Sequence, residues 1–125
     1  MSVTQYLKEK VKRGTVHITM IDPMKQSPEA AVRLALTAQE VGSDLILIAG
    51  LSGLSQRNLL ETSRSIREKI SIPLVYSPSG AEALCFSFDA LFFGSLLNSK
   101  NPNYLCGGQV QAAIILKRME LETKP

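Results

Sequence analysis

The sequence has no tryptophan, one histidine and two cysteines among its 125 residues. Each shortage removes a class of chemistry. With His17 alone, a Ser/His/Asp triad or a Cys/His pair would have to be built on that single residue, and no G-x-S-x-G elbow accompanies it. Hydrolase chemistry is therefore not expected. Cys85 and Cys106 have apolar neighbours and belong to no C-x-x-C or Cys/His ligand spacing. They read as buried free thiols in a reducing cytoplasm. The amino terminus is polar and charged rather than signal-like. No apolar run approaches the roughly 18 residues of a membrane span. These features predict a cytoplasmic chain without a transmembrane segment.

Excess charge is also scarce. Fourteen Lys and Arg against eleven Asp and Glu leave a net charge of +3. The basic residues gather near the ends, as Lys8, Lys10, Lys12 and Arg13, and as Lys117, Arg118 and Lys124, with Glu9, Glu120 and Glu122 interspersed. Solvated helix faces account for such clusters. A nucleic-acid footprint would need a denser patch beside aromatic residues or a reading motif, so no nucleic-acid partner is expected.

What the chain does have is apolar material, 45% of its residues, enough for one packed domain spanning 1–125. Ser2 to Lys12 reads as a polar helix closed by Arg13-Gly14. Thr15 to Ile21 is rich in β-branched residues and predicts a strand, stopped by Asp22-Pro23. Ser27-Pro28-Glu29 is a helix start, with a capping hydroxyl, a first-turn proline and an acid at the positive end. Ala30, Ala31, Leu34, Ala35, Ala38 and Val41 follow at helical spacing, and Gly42 closes the helix. Asp44 to Ala49 is continuously apolar in its middle, the mark of a strand covered on both faces.

A second helix is expected over about Gln56 to Ile70, with Leu59, Ser63, Ile66 and Ile70 inward and an Arg64/Glu68 pair outward. Ile72 to Tyr76 and Ala90 to Phe93 supply two more strands. Asn101-Pro102 opens a last helix, to about Leu121, whose Ala112-Ala-Ile-Ile-Leu116 run is apolar on nearly all sides. A surface helix shows one apolar stripe; this one wants cover on a second side.

Alternating strands and helices predict an α/β fold with a parallel sheet and right-handed crossovers. Ligands of such sheets lie at the carboxyl ends of the strands. Four loops stand there: Asp22 to Lys25, Gly50 to Ser55, Ser77 to Gly80, and Gly94 to Ser99. Asp22 is placed either to hold a divalent cation, since magnesium takes one or two protein carboxylates beside waters and phosphates, or to bond its own backbone in the turn. Gly50, Gly53, Ser77, Ser79, Gly80, Gly94, Ser95 and Asn98 offer backbone N–H groups or small polar side chains to phosphate oxygens, and Lys25 adds a positive charge.

Two of these stretches resemble a known family. His17-Ile-Thr-Met-Ile-Asp-Pro-Met-Lys25 is similar to the first-strand motif of the geranylgeranylglyceryl phosphate synthases and the heptaprenylglyceryl phosphate synthases, which read His-Ile-Thr-x-x-Asp-Pro-x-Lys. Phe93-Gly-Ser-Leu-Leu-Asn-Ser-Lys-Asn101, with Gly107 and Gly108 after it, resembles their Phe-x-Ser-x-Leu-Asn-Ser segment. Gly42-Ser-Asp44 and Ile72-Pro-Leu-Val75 fall in the matching order, and the resemblance covers about residues 13 to 113. It implies magnesium-dependent transfer of a polyprenyl group from its diphosphate to the 3-hydroxyl of glycerol 1-phosphate. Asp22 would be a metal ligand, joined by a hydroxyl from the loop after the second strand. There Leu51 stands where the family has its hydroxyl, which leaves Ser52 as the substitute.

The family's members are (βα)8 barrels of about twice this length, and their Tyr-x-Glu and later phosphate-loop motifs have no counterpart here. Four βα units make a (βα)4 half-barrel, and a packed barrel interior needs about eight strands. The expectation is a homodimer or higher oligomer that closes a barrel. Ser77 to Gly80 and Gly94-Ser95 would then take the places of the phosphate loops after strands seven and eight. Two functions stand side by side. One is prenyl transfer with a prenyl diphosphate substrate. The other is a non-catalytic half-barrel that binds a phosphorylated small molecule or a partner protein.

Overall fold

A computed structural model describes residues 1–50, 56–80, 84 and 87–118. In chain order its elements are α1 (Val3–Arg13), β1 (Ile18–Ile21), α2 (Pro28–Glu40), β2 (Leu45–Ala49), α3 (Gln56–Arg67), β3 (Leu74–Ser77), β4 (Ala90–Leu91), a π-helical turn (Asn103–Gly107) and α4 (Gly108–Arg118). The four strands form one parallel sheet in the order β1-β2-β3-β4. Sequential parallel order requires each connection to cross over one face, as in a barrel wall.

The helix ends follow the expected chemistry. The Ser2 hydroxyl accepts from the Gln5 N–H and the Gln5 side chain accepts from the Ser2 N–H, a reciprocal capping box. Ser27 caps α2 at the Ala30 N–H, with Pro28 first in the helix. Gly42 then turns the chain at φ +101°, a conformation in which a side chain would be strained.

Strand register divides the sheet into two faces. Ile21, Ile48, Tyr76 and Leu91 form one row, and Thr19, Ile46 and Leu74 another on the same face. Apart from Thr19 these residues are buried. They pack with Ala31, Ala35 and Ala38 of α2, Leu59 and Ile66 of α3, and Ala112 and Leu116 of α4. Full burial of a side chain such as Ile48 contributes about 1.5–3 kcal/mol. The opposite face carries Ile18, Leu45, Met20, Leu47, Val75 and Ala90. Val75 there is buried, whereas Met20 in the same row at the β1 edge is 64% exposed. One face is therefore a finished core, and the other is closed only in part.

Several sequence expectations are revised. β1 starts at Ile18 rather than Thr15, because its partner β2 begins at Leu45 and offers no ladder to earlier residues. β3 starts at Leu74 rather than Ile72, since Pro73 has no N–H to give, although its carbonyl accepts from Ile46. β4 has two residues, not four. α3 ends at Arg67, where the Lys69 N–H turns to the Ile66 carbonyl. Arg64 and Glu68 make no ion pair among the described residues; Arg67 pairs with Asp89 instead.

The last helix is not continuous from Asn101. Asn101 Oδ1 accepts from the Asn103 N–H, and a π-helical turn precedes α4. Such turns mark local rearrangement, frequently at functional sites. The turn is tight at Gly107: a Cβ on it would lie 2.6 Å from Asn103 Oδ1, so that side chain would have to shift. Cys106, expected to be buried, is exposed because it sits on this turn; Cys85 lies outside the described residues. Leu34 and Val41 of the α2 pattern are exposed, as are Val110, Ile114 and Ile115 of the apolar run in α4.

Candidate functional site

Parallel strands deliver their carboxyl ends to one edge of the sheet, and there the turn after β1 begins. Asp22 directly follows β1, and Pro23 behind it is buried. Asp22 Oδ1 accepts from the Met24 N–H at 3.0 Å. The Asp22 carbonyl accepts from the Lys25 N–H at 3.1 Å and from Gln26 Nε2 at 3.0 Å. The backbone-bonding role is thus realised on one carboxylate oxygen. The other, Oδ2, makes no hydrogen bond among the described residues. Past Ile48, Ala49 and Ser77 pair in the next row, on the face of Met20, Leu47 and Val75, and Asp22 leaves β1 at that same end. That face is the interior of a barrel wall.

Ser77 is the last residue of β3 rather than a loop residue, and it pairs with Ala49 across the ladder. Beyond it Pro78 is buried, Ser79 exposed and Gly80 half-buried. Gly50 follows β2 at the same end. Gly53 and Ser52, with Leu51, lie outside the described residues. Lys25 is exposed. The sheet thus brings Asp22, Gly50, Ser77, Ser79 and Gly80 to one end, and Gly94, Ser95 and Asn98 follow β4 there. Among the described residues no cluster of three or more His, Cys, Asp or Glu side chains forms a metal cage. A lone carboxylate with a spare oxygen suits magnesium, which keeps waters and substrate phosphates as its other ligands.

Sequence reasoning missed the residue that shapes the β4 loop. Gln109, at the second position of α4, donates through Nε2 to the Gly94 carbonyl at 2.8 Å and to the Ser95 hydroxyl at 2.9 Å. Its Oε1 is shielded from solvent and makes no hydrogen bond among the described residues. No local signal singles it out, since Gln111 is the same residue type two positions on in the same helix. The loop is further held by the Leu96 N–H, which donates to the Tyr104 carbonyl at 2.8 Å.

His17 lies at the other end of the sheet, ahead of β1. Its Nδ1 bonds the Ser43 hydroxyl at 2.8 Å, and Ser43, buried, also bonds Thr19. The Asp44 carboxylate accepts from the His17 N–H at 3.0 Å and pairs with Lys10 Nζ at 2.9 Å; the Asp44 carbonyl accepts from the Tyr6 hydroxyl. The His17 N–H first, then Lys10, holds the Asp44 carboxyl below the usual carboxylate range. In turn Asp44 raises Lys10 above its ordinary value. These contacts fasten α1 across the strand entrances. A cleft of about 710 Å³ opens there too, between the start of α1 and the entries of β3 and β4, lined by Val3, Tyr6, Pro73 and Asp89 among others. It lies at the opposite end from Asp22 and has no part in the candidate site.

Four sequential parallel strands with helices against one face, and polar loops at the carboxyl ends, define an α/β half-barrel of the TIM-barrel type. The chain belongs to the PcrB family, whose model matches residues 4–125. It is 39% identical over 125 residues to the geranylgeranylglyceryl phosphate synthase of Methanosphaera stadtmanae, covering all of this chain and 51% of that protein. It is 41% identical over 123 residues to the synthase of the same name from Methanococcoides burtonii, covering 98% and 50% respectively. The structure superposes on the (S)-3-O-geranylgeranylglyceryl phosphate synthase of Thermoplasma acidophilum, in complex with its substrate sn-glycerol-1-phosphate, with a TM-score of 0.93. The identity there is 34%, over all of this chain and 51% of that one. The chain spans about half the length of the relatives it matches. Among the described residues, no helix is long and apolar enough to cross a membrane.

Proposed function

We propose that this chain supplies one half of a prenyl-transfer site that joins a polyprenyl diphosphate to glycerol 1-phosphate. The observation that carries the reading is Asp22: it directly follows β1 at the carboxyl end of the sheet, with Oδ1 spent on its turn and Oδ2 without a hydrogen bond among the described residues. In the reaction the 3-hydroxyl oxygen of glycerol 1-phosphate bonds to the prenyl C1. The bond from C1 to the diphosphate breaks, its electron pair leaves with pyrophosphate, and the hydroxyl proton passes to solvent. Magnesium held by Asp22, with Ser52 as the neighbouring hydroxyl, would neutralise the diphosphate charge. Lys25 adds attraction for the same anion. Gly50, Gly53, Ser77, Ser79, Gly80, Gly94, Ser95 and Asn98 would receive phosphate oxygens through N–H groups and hydroxyls, with Gln109 fixing the position of Gly94 and Ser95. A second half-barrel would complete the site, and a homo-oligomer is one source of it.

Leu51, a side chain that cannot ligate a metal, favours a second reading in which the half-barrel keeps the phosphate sites without turnover. Transfer of a labelled polyprenyl diphosphate to glycerol 1-phosphate, assayed with and without magnesium, separates the two. Magnesium-dependent product that disappears in Asp22→Ala supports the synthase. Glycerol 1-phosphate binding without product, at any protein concentration, replaces it with the binding module.

A further inference from the structure

The loop after β4 joins the carboxyl end of the sheet to α4, and Gln109 bridges the two. Its Nε2 donates to the Gly94 carbonyl at 2.8 Å and to the Ser95 hydroxyl at 2.9 Å. A carbonyl only accepts, so the Gly94 contact fixes which end of the amide faces the loop. Both amide hydrogens are then engaged, and the nitrogen has no lone pair to offer the Ser95 hydroxyl. Ser95 Oγ is therefore the acceptor of that pair, and its own hydrogen is left to donate elsewhere. This orientation leaves Oε1 shielded from solvent and without a partner among the described residues. The reversed amide would set Oε1 against the Gly94 carbonyl, oxygen to oxygen.

The loop is thereby changed in polarity. The Gly94 carbonyl, which would repel an anion, is occupied. Gly94 and Ser95 are exposed, and their N–H groups make no hydrogen bond among the described residues. The loop also has ties that do not involve Gln109: the Leu96 N–H donates to the Tyr104 carbonyl and the Ser99 N–H to the Leu96 carbonyl. We infer that Gln109 is a positioning residue: by engaging the Gly94 carbonyl and a Ser95 lone pair, it leaves the Ser95 O–H to donate to a phosphate oxygen. A charged acceptor strengthens such a bond. The inference rests on the reading of Gly94 and Ser95 as phosphate-binding groups, and neither on turnover nor on a second half-barrel. The phosphate of glycerol 1-phosphate and a diphosphate share this chemistry, and two probes distinguish them.

The test is titration of the chain with glycerol 1-phosphate and, separately, with inorganic pyrophosphate, followed by the amide chemical shifts of Gly94 and Ser95. Circular dichroism confirms folding of each variant. The wild type is expected to shift both amides, and the probe that does so at the lower concentration names the source of the phosphate. Ser95→Ala and Gln109→Met are each expected to weaken binding about tenfold. Combined, they are expected to lose far less than the two factors multiplied, because both remove the same O–H donation. Gln109→Glu keeps the length but accepts where glutamine donates. Ser95 then donates inward, and the loss is expected to exceed that of Gln109→Met. Multiplied losses in the double variant overturn the inference and leave Gln109 a structural brace. A Gln109→Met chain that binds as the wild type does also overturns it, while the phosphate reading stands. Wild-type amides unmoved by both probes remove the phosphate reading of this loop and the inference together. The expected pattern without prenyl transfer keeps the inference and removes only the synthase reading.

Discussion

Asp44 and Asp89 repeat one arrangement at two strand entrances. Each stands one residue ahead of its strand, β2 for Asp44 and β4 for Asp89. Each donates its N–H to a carbonyl at the entrance of the preceding strand, that of His17 or Leu74, and accepts the N–H of that same residue on Oδ2. Each offers Oδ1 to a cation, Lys10 at 2.9 Å or Arg67 at 2.6 Å. The carboxylate thus fixes register between neighbouring strands and anchors a helix to the same point.

Asp89→Ala leaves the Leu74 N–H without its side-chain partner in a half-buried setting and frees Arg67. The expected loss is about 1–3 kcal/mol, read as a lower urea midpoint at unchanged slope. Asp89→Asn, which retains an acceptor for Leu74 but not the ion pair, is expected to lose less.

The Asp44 carboxyl is held low by the His17 N–H and then by Lys10. A depressed folded value means that its contribution is complete above the unfolded value of about 3.9 and disappears as pH falls through the lower folded one. Lys10, raised by Asp44, keeps its share until pH climbs through its own elevated value. Docking of α1 is therefore expected to hold through neutral pH and to weaken below about pH 4. Amide chemical shifts of Tyr6 to Arg13 followed against pH would report it, and Asp44→Asn should remove the transition.

Gly42→Ala tests the turn that closes α2. The added methyl meets nothing within 4 Å, so its cost is conformational, set by φ +101°. A loss of about 1–3 kcal/mol is expected, visible in thermal melts. Placing alanine at Gly94, where the surroundings are also open and φ is not positive, is expected to change stability far less.

Much of this was legible in the residues themselves. The alternation of elements, the Ser27-Pro28 start, the Gly42 stop and the continuous apolar core of β2 follow from local chemistry, and the structure has each of them. Strand ends were not legible, because a strand lasts only as long as its neighbour offers a ladder: Thr15 is a good strand residue with no partner. The burial of Cys106 was misjudged because apolar neighbours in sequence do not reveal a π-helical turn that lifts the residue to the surface. Asp22 could be named from its place after a strand, whereas Gln109 could not. Its role depends on a loop 14 residues earlier in the chain returning to it, and nothing local encodes that return.

The brevity of β4 has a consequence for the sheet itself. β3 holds it by two register pairs, where β1–β2 and β2–β3 have four each. The described sheet is thinnest at that joint, so local opening is expected to begin there rather than at β2.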